Sequence, residues 1–172
     1  MSVHTLSVLV ENRPGVLART AGLFAARGFN IHSLAVGTTE VPEYSRMTIV
    51  VDLKTKTLEQ VVKQLNKLVN VIKVLELDHD AIERELALIK VRARGDDRAR
   101  IIEIADIFRA RISGVSKTTV TVEATGSADK LTALQDLLTE YGIVEMARTG
   151  TVALSRDDRG IRERMLRAAG DD

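Results

Sequence analysis

The chain has 172 residues, 45% hydrophobic and 28% charged, which suits one mid-sized globular domain or two small ones and excludes a disordered chain. Its 25 Lys and Arg nearly balance 24 Asp and Glu, so a formal net charge of +1 gives no electrostatic drive toward nucleic acid or an acidic membrane. There is no cysteine, which excludes disulfides, thiol chemistry and Cys-based metal sites and fits a reducing compartment such as the cytoplasm.

The start, MSVHTLSVLV, has no basic leader or cleavage site and alternates like a strand, so it is not read as a signal peptide. No apolar run approaches the roughly 20 residues that cross a bilayer. Leu6, Val8 and Val10 set a period of two with Thr5, Ser7 and Leu9 between them. Glu11-Asn12-Arg13-Pro14-Gly15 breaks that strand. Pro14 fixes its φ and lacks an N–H that a first helical turn would leave unpaired, and Gly15 admits a close approach to the backbone. From Val16 the period is helical, with Leu17, Ala21 and Phe24 on the expected buried face and Val16 and Leu23 beside them. Gly28 is placed to end the helix, and Asn30-Ile31 enters the next strand.

The turn suits an anion. A helix start presents N–H groups without intrahelical partners, and Asn12 supplies an amide oxygen for an ammonium group. Together they can hold the two charged ends of an amino acid. The plain alternative is that Asn12 caps the helix and Pro14-Gly15 only turns the chain.

Further on, Ile31–Gly37 and Ser45–Leu53 read as strands around a Pro42 loop. Thr57–Asn70 reads as a helix carrying Leu58, Val61, Val62, Leu65, Leu68 and Val69, with Thr57 and Gln60 as a capping box. Val71–Asp78 is a strand, which completes β-α-β-β-α-β. The second half repeats the order: strand Arg84–Ala93, helix Asp97–Ala110, strands Arg111–Val115 and Lys117–Thr125, a helix capped by Ser127, and strand-like Ile143–Ala147 and Gly150–Leu154. Asp157–Ala169 reads as a short basic helix or tail. The expectation is an α+β chain of two ferredoxin-like βαββαβ domains in tandem, residues 1–78 and 84–172, joined by a linker at 79–83. Such a sheet has one open face and free edge strands, and pairing two edges across a two-fold axis would remove that liability.

No catalytic or metal set is found. His4, His32 and His79 lack ligand spacing, no phosphate-binding glycine motif or nucleophile elbow occurs, and the paired aspartates are sequence neighbours that point apart. The arginines from Arg92 to Arg111 are interleaved with acids and carry no helix-turn-helix pattern, so they read as a solvated face. A small anion-suited fold without reaction machinery is read as a sensor.

LSVLVENRPGVLARTAGLFAARGFNIHSLAVG, SRMTIVV and EQVVKQLNKLVNVIKV, with ERELALIKV, IFRARI and EMARTGTVALSR later, closely resemble the small regulatory subunits of acetolactate synthase. The first half resembles an ACT domain, the amino-acid-sensing ferredoxin-like module. The resemblance implies a non-catalytic, cytoplasmic homodimer, paired through its ACT domains, that binds and activates a catalytic large subunit. Thiamine diphosphate, Mg²⁺ and FAD are implied for that large subunit and none for this chain. It also implies feedback inhibition by valine in branched-chain amino acid synthesis. By position, Asn12, Gly15 and Asn30 match effector-site residues, while Pro14 and Ala18 stand where the family varies. The resemblance implies effector sites between the ACT domains of a dimer, and the expected contacts are the amides near Gly15, Val16 and Leu17 for the carboxylate, Asn12 with Asn30 or a backbone carbonyl of the facing protomer for the ammonium, and apolar groups such as Leu9 and Ile31 for the aliphatic side chain. Two other readings are a ligand-sensing module of a transcription regulator, and a small ferredoxin-like hydrolase using Arg13 and Asn12.

Overall fold

The computed structural model describes residues 2–53 and 55–163. Its first unit opens with β1 (Ser2–Glu11), α1 (Val16–Ala25), β2 (Ile31–Thr38), β3 (Tyr44–Leu53), α2 (Thr55–Leu65) and β4 (Val71–Leu77). The four strands form an antiparallel sheet in the order β2-β3-β1-β4. Registers Leu6↔Ile49 and Val8↔Met47 set one apolar row on another, on the face that packs with Phe24 of α1 and Leu58, Val61 and Leu65 of α2. Each such side chain contributes about 1.5–3 kcal/mol by leaving water.

In α1 the buried stripe is Val16, Thr20 and Phe24, whereas Leu17 is 44% exposed, against expectation. An i, i+4, i+8 row faces the sheet, and Leu17 lies about 100° round the helix from it. Thr20 is tolerated there because its hydroxyl donates to the Val16 carbonyl at 3.0 Å. Gly28 ends the turn with φ +66, and the bonds Phe29 N–H to Phe24 O and Gly28 N–H to Ala25 O form a Schellman motif. Buried Phe24 and half-buried Phe29 belong to the same core.

α2 starts at Thr55, so Thr57 and Gln60 lie inside it and form no capping box. It also stops at Leu65 rather than Asn70. There the Asn66 amide bonds back to the Val62 carbonyl and the chain tightens through Lys67 N–H to Gln64 O and Leu68 N–H to Leu65 O. Leu68 still packs on the core, but Val69 is 96% exposed.

The second unit, Glu83–Gly150, is built from β5 (Ile82–Arg92), α3 (Asp97–Ile107), β6 (Arg111–Val115), β7 (Thr119–Gly126), α4 (Ala128–Thr139) and β8 (Ile143–Arg148). Its strand order, β6-β7-β5-β8, repeats the first sheet. Ile89, Val91, Ile101, Val122, Leu131, Leu134 and Leu138 form a separate core. Ser127 caps α4 by accepting from the Lys130 N–H, as its sequence position predicts. α3 ends three residues before Ala110 because Arg109 turns left-handed at φ 52 and lets the Ala110 N–H reach the Ala105 carbonyl.

From Thr151 the contacts group the chain with the first unit, whereas the sequence reading keeps it with the second half. The strand β9 (Val152–Leu154) touches β1, and the Thr151 N–H donates to Ser33 Oγ at 2.7 Å. These residues return to the face of the first sheet that carries no helix. There Thr5, Ser7, Leu9 and Thr48 are buried, as are Thr151, Ala153 and Ile161. The expected helix Asp157–Ala169 lies partly outside the described residues.

Candidate functional site

The turn between β1 and α1 is held from two sides. The Glu11 N–H donates to the Asn70 carbonyl, and Asn70 Nδ2 donates to Glu11 Oε2 at 2.6 Å. On the other side the Asn12 N–H donates to Glu43 O at 2.7 Å, and Asn12 Nδ2 donates to Pro42 O at 3.0 Å. Asn12 therefore does not cap α1, which corrects the plain reading. Its amide nitrogen is spent on the β2–β3 loop, and its Oδ1 is left as an acceptor for a cation.

The residue at the N-cap position is Gly15, with φ 83 and no side-chain cap. An L side chain there carries a conformational cost of roughly 1–2 kcal/mol. The Val16 N–H reaches Arg13 O only at 3.5 Å, and among the described residues the N–H groups of Leu17 and Ala18 have no acceptor. Exposed amides pointing out of a helix start are suited to a carboxylate. Val16 offers its backbone alone, since its side chain is buried.

Asn12, Pro14, Gly15, Val16 and Leu17 are together. Asn30 and Ile31 are at the opposite end of the sheet: Glu11 pairs with Tyr44 and Thr38 with Ser45, while Ile31 pairs with Val51. The seven residue steps of β2 between those ends span about 23 Å. No single chain brings the two groups to one small ligand.

Leu9 is 1% exposed and faces the side away from the helices with Ser7 and Thr48, so it offers no wall to a ligand at the helix start. Two residues were missed. Val36, paired with Met47 on the helix-covered face, is 45% exposed at the edge of the sheet, and its signal was the alternation of β2 itself. Arg19 places its guanidinium 3.9 Å from the position of a Cβ on Gly15, so an exposed cation overlies the turn. Side chains on a helix lean toward its start, and that rule would have selected Arg19, one turn in.

Among the described residues, no group of three His, Cys, Asp or Glu can hold a metal ion, and no helix is long and apolar enough to cross a membrane.

Comparison with known proteins accounts for both halves. Residues 6–73 match the AHAS small subunit-like ACT domain, and residues 84–157 match the small subunit of acetolactate synthase. The acetolactate synthase small subunit of Mycolicibacterium smegmatis is 57% identical over 159 residues, 92% of this chain and 94% of that one. That of Mycobacterium leprae is 56% identical over 162 residues, 94% of this chain and 96% of its own length. The crystal structure of the acetolactate synthase small subunit from Thermotoga maritima superposes with a TM-score of 0.86 at 44% identity, covering 92% of this chain and all of that one. With two ferredoxin-like units, the first an ACT domain, and relatives that match along nearly its full length, this chain belongs to the acetolactate synthase small-subunit family.

Proposed function

We propose that this chain is the regulatory subunit of a cytoplasmic acetolactate synthase, that it binds and activates the catalytic large subunit, and that it makes the enzyme sensitive to valine. The condensation and its cofactors belong to the large subunit; this chain contributes control of the pathway to branched-chain amino acids. The family membership supports the partner, and the turn chemistry supports the effector.

The observation that carries the effector site is the separation of Asn12–Gly15 from Asn30–Ile31 along β2. β2 is an edge strand. If two copies pair their β2 edges antiparallel across a two-fold axis, the Ile31 end of one strand meets the Thr38 end of the other. The two groups then complete each other twice, once at each end of the joint sheet. In that arrangement the valine carboxylate meets the amides of Leu17 and Ala18 above Gly15, with Arg19 alongside. Its ammonium meets Asn12 Oδ1 and Asn30 of the partner subunit. Its isopropyl group lies against Val36, Leu17 and Ile31 of the partner subunit. A site assembled from two copies binds only the paired state, and that preference is the source of the switch.

Titrating the whole chain calorimetrically with valine, leucine and isoleucine tests the effector. Heat with valine at two sites per dimer is expected, and absence of binding by all three overturns the site. Adding the catalytic subunit and assaying acetolactate tests control: higher activity without valine and inhibition with it are expected.

A further inference from the structure

The returning segment does not only cover the sheet; it ends on the loop that holds the Asn12 turn. Ile161 is buried, and Arg162 beside it lies over the Tyr44 ring, with Cζ 5.8 Å from the centroid, within cation–π range. Arg162 Nη1 also lies 3.9 Å from Glu40 Oε1. Glu40 belongs to the β2–β3 loop and Tyr44 opens β3, the same stretch whose Pro42 and Glu43 carbonyls accept from Asn12. That loop is stiff, because the Thr39 hydroxyl bonds to Val41 and Tyr44 carbonyls and accepts from the Val41 N–H. A short rigid piece is therefore gripped on one side by the effector turn and on the other by Arg162.

The end of the segment suits reversible docking, since its Arg162 contacts are polar and exposed. The sheet face beneath the segment mixes Thr5, Ser7, Ser33 and Thr48 with Leu9, Val50, Leu75 and Leu77, and Arg46 Nη1 donates to Ser7 Oγ at 3.2 Å. Arg162 and Glu40 are exposed at the margin, where the attachment is weakest.

We propose that residues 155–163 are a latch, closed by Arg162 on Tyr44 and Glu40, whose closure and the ordering of the Asn12–Gly15 turn favour each other. The coupling itself is a property of the ligand-free chain; its use in regulation rests on the effector reading above. By linkage, a ligand that orders the turn closes the latch, and opening the latch weakens that ligand by the same factor.

Hydrogen exchange on the full chain tests both parts. Without ligand, Asn12→Ala is expected to speed exchange at least fivefold in residues 39–44 and in 155–163 alike, whereas Asn66→Ala, whose side-chain amide bonds the Val62 carbonyl and not the loop, leaves both unchanged. Arg162→Ala is expected to speed exchange at the bonded turn amides of Asn12, Arg13 and Arg19, and Arg162→Lys to restore part of the protection. Should Asn12→Ala impair folding, the surface change Arg162→Ala carries the test alone. Unchanged exchange at the amides of Asn12, Arg13 and Arg19 in Arg162→Ala overturns the latch. With valine, Arg162→Ala is expected to weaken binding at least fivefold. Equal binding by Arg162→Ala and the parent chain overturns the latch and leaves the effector site standing. No valine binding by the parent chain, with coupled exchange retained, overturns the effector site and leaves the latch standing.

Discussion

At Gly15 backbone conformation and charge can be separated by substitution. A Cβ there meets only the Arg19 guanidinium at 3.9 Å, an ordinary contact, so the φ of 83 is the obstacle to a side chain. Asn and Asp both tolerate left-handed backbone, and they differ by one negative charge. Gly15→Asn is expected to keep the fold and a valine affinity weakened only severalfold. Gly15→Asp, which sets a carboxylate where the ligand's must bind, is expected to lose valine inhibition while still activating the catalytic subunit. Inhibition curves of the reconstituted enzyme measure both. Arg19→Gln is expected to weaken valine about tenfold, the scale of one charge-assisted hydrogen bond, with little change in thermal stability because the guanidinium is exposed. Calorimetry and a melting curve on the same sample check the pair. The turn was legible from Pro14 and Gly15, whose types constrain backbone directly. Arg19 was not, because its role depends on where a helical side chain leans.

Among the elements, boundaries were the part that periodicity read least well. The pattern Leu58, Val61, Leu65, Leu68 continues past the end of α2 because Leu68 still reaches the core from a tight turn rather than from a helix. Val69 looks like a core residue in the sequence and is almost wholly in water. Leu65→Ala is accordingly expected to cost about 2–5 kcal/mol in urea denaturation, and Val69→Ser to cost nearly nothing. α3 hid its end for a different reason: the left-handed residue that stops it is Arg109, not the Gly or Asn that marks such a stop in a sequence. Strand types, strand order and both helix-covered cores were legible, since alternation decides which side of a sheet is dry. In α1 the register was misjudged by one residue: a hydroxyl bonded to the preceding turn lets Thr20 replace an aliphatic side chain in the buried row.

The whole molecule adds what no local pattern carries. If β2 edges pair as proposed, ligand is tied to assembly, and valine is expected to lower the dimer dissociation constant at least tenfold; sedimentation at several protein concentrations, with and without valine, measures it. The return of Thr151–Ile161 to the first sheet was invisible because it joins residues more than a hundred positions apart through mixed small and polar side chains, such as Ser33 with Thr151. The open face of the first sheet and the returning segment are engaged with each other within the chain. That engagement bears on the making of the protein. Synthesis delivers β1 through β4 well before Thr151 leaves the ribosome, so the nascent sheet spends that interval with one side bare. Leu9, Val50, Leu75 and Leu77 share that side with Thr5, Ser7 and Thr48, so until its own chain returns the sheet shows a part-oily surface to any neighbour, and late arrival of Thr151 sets how long it does so.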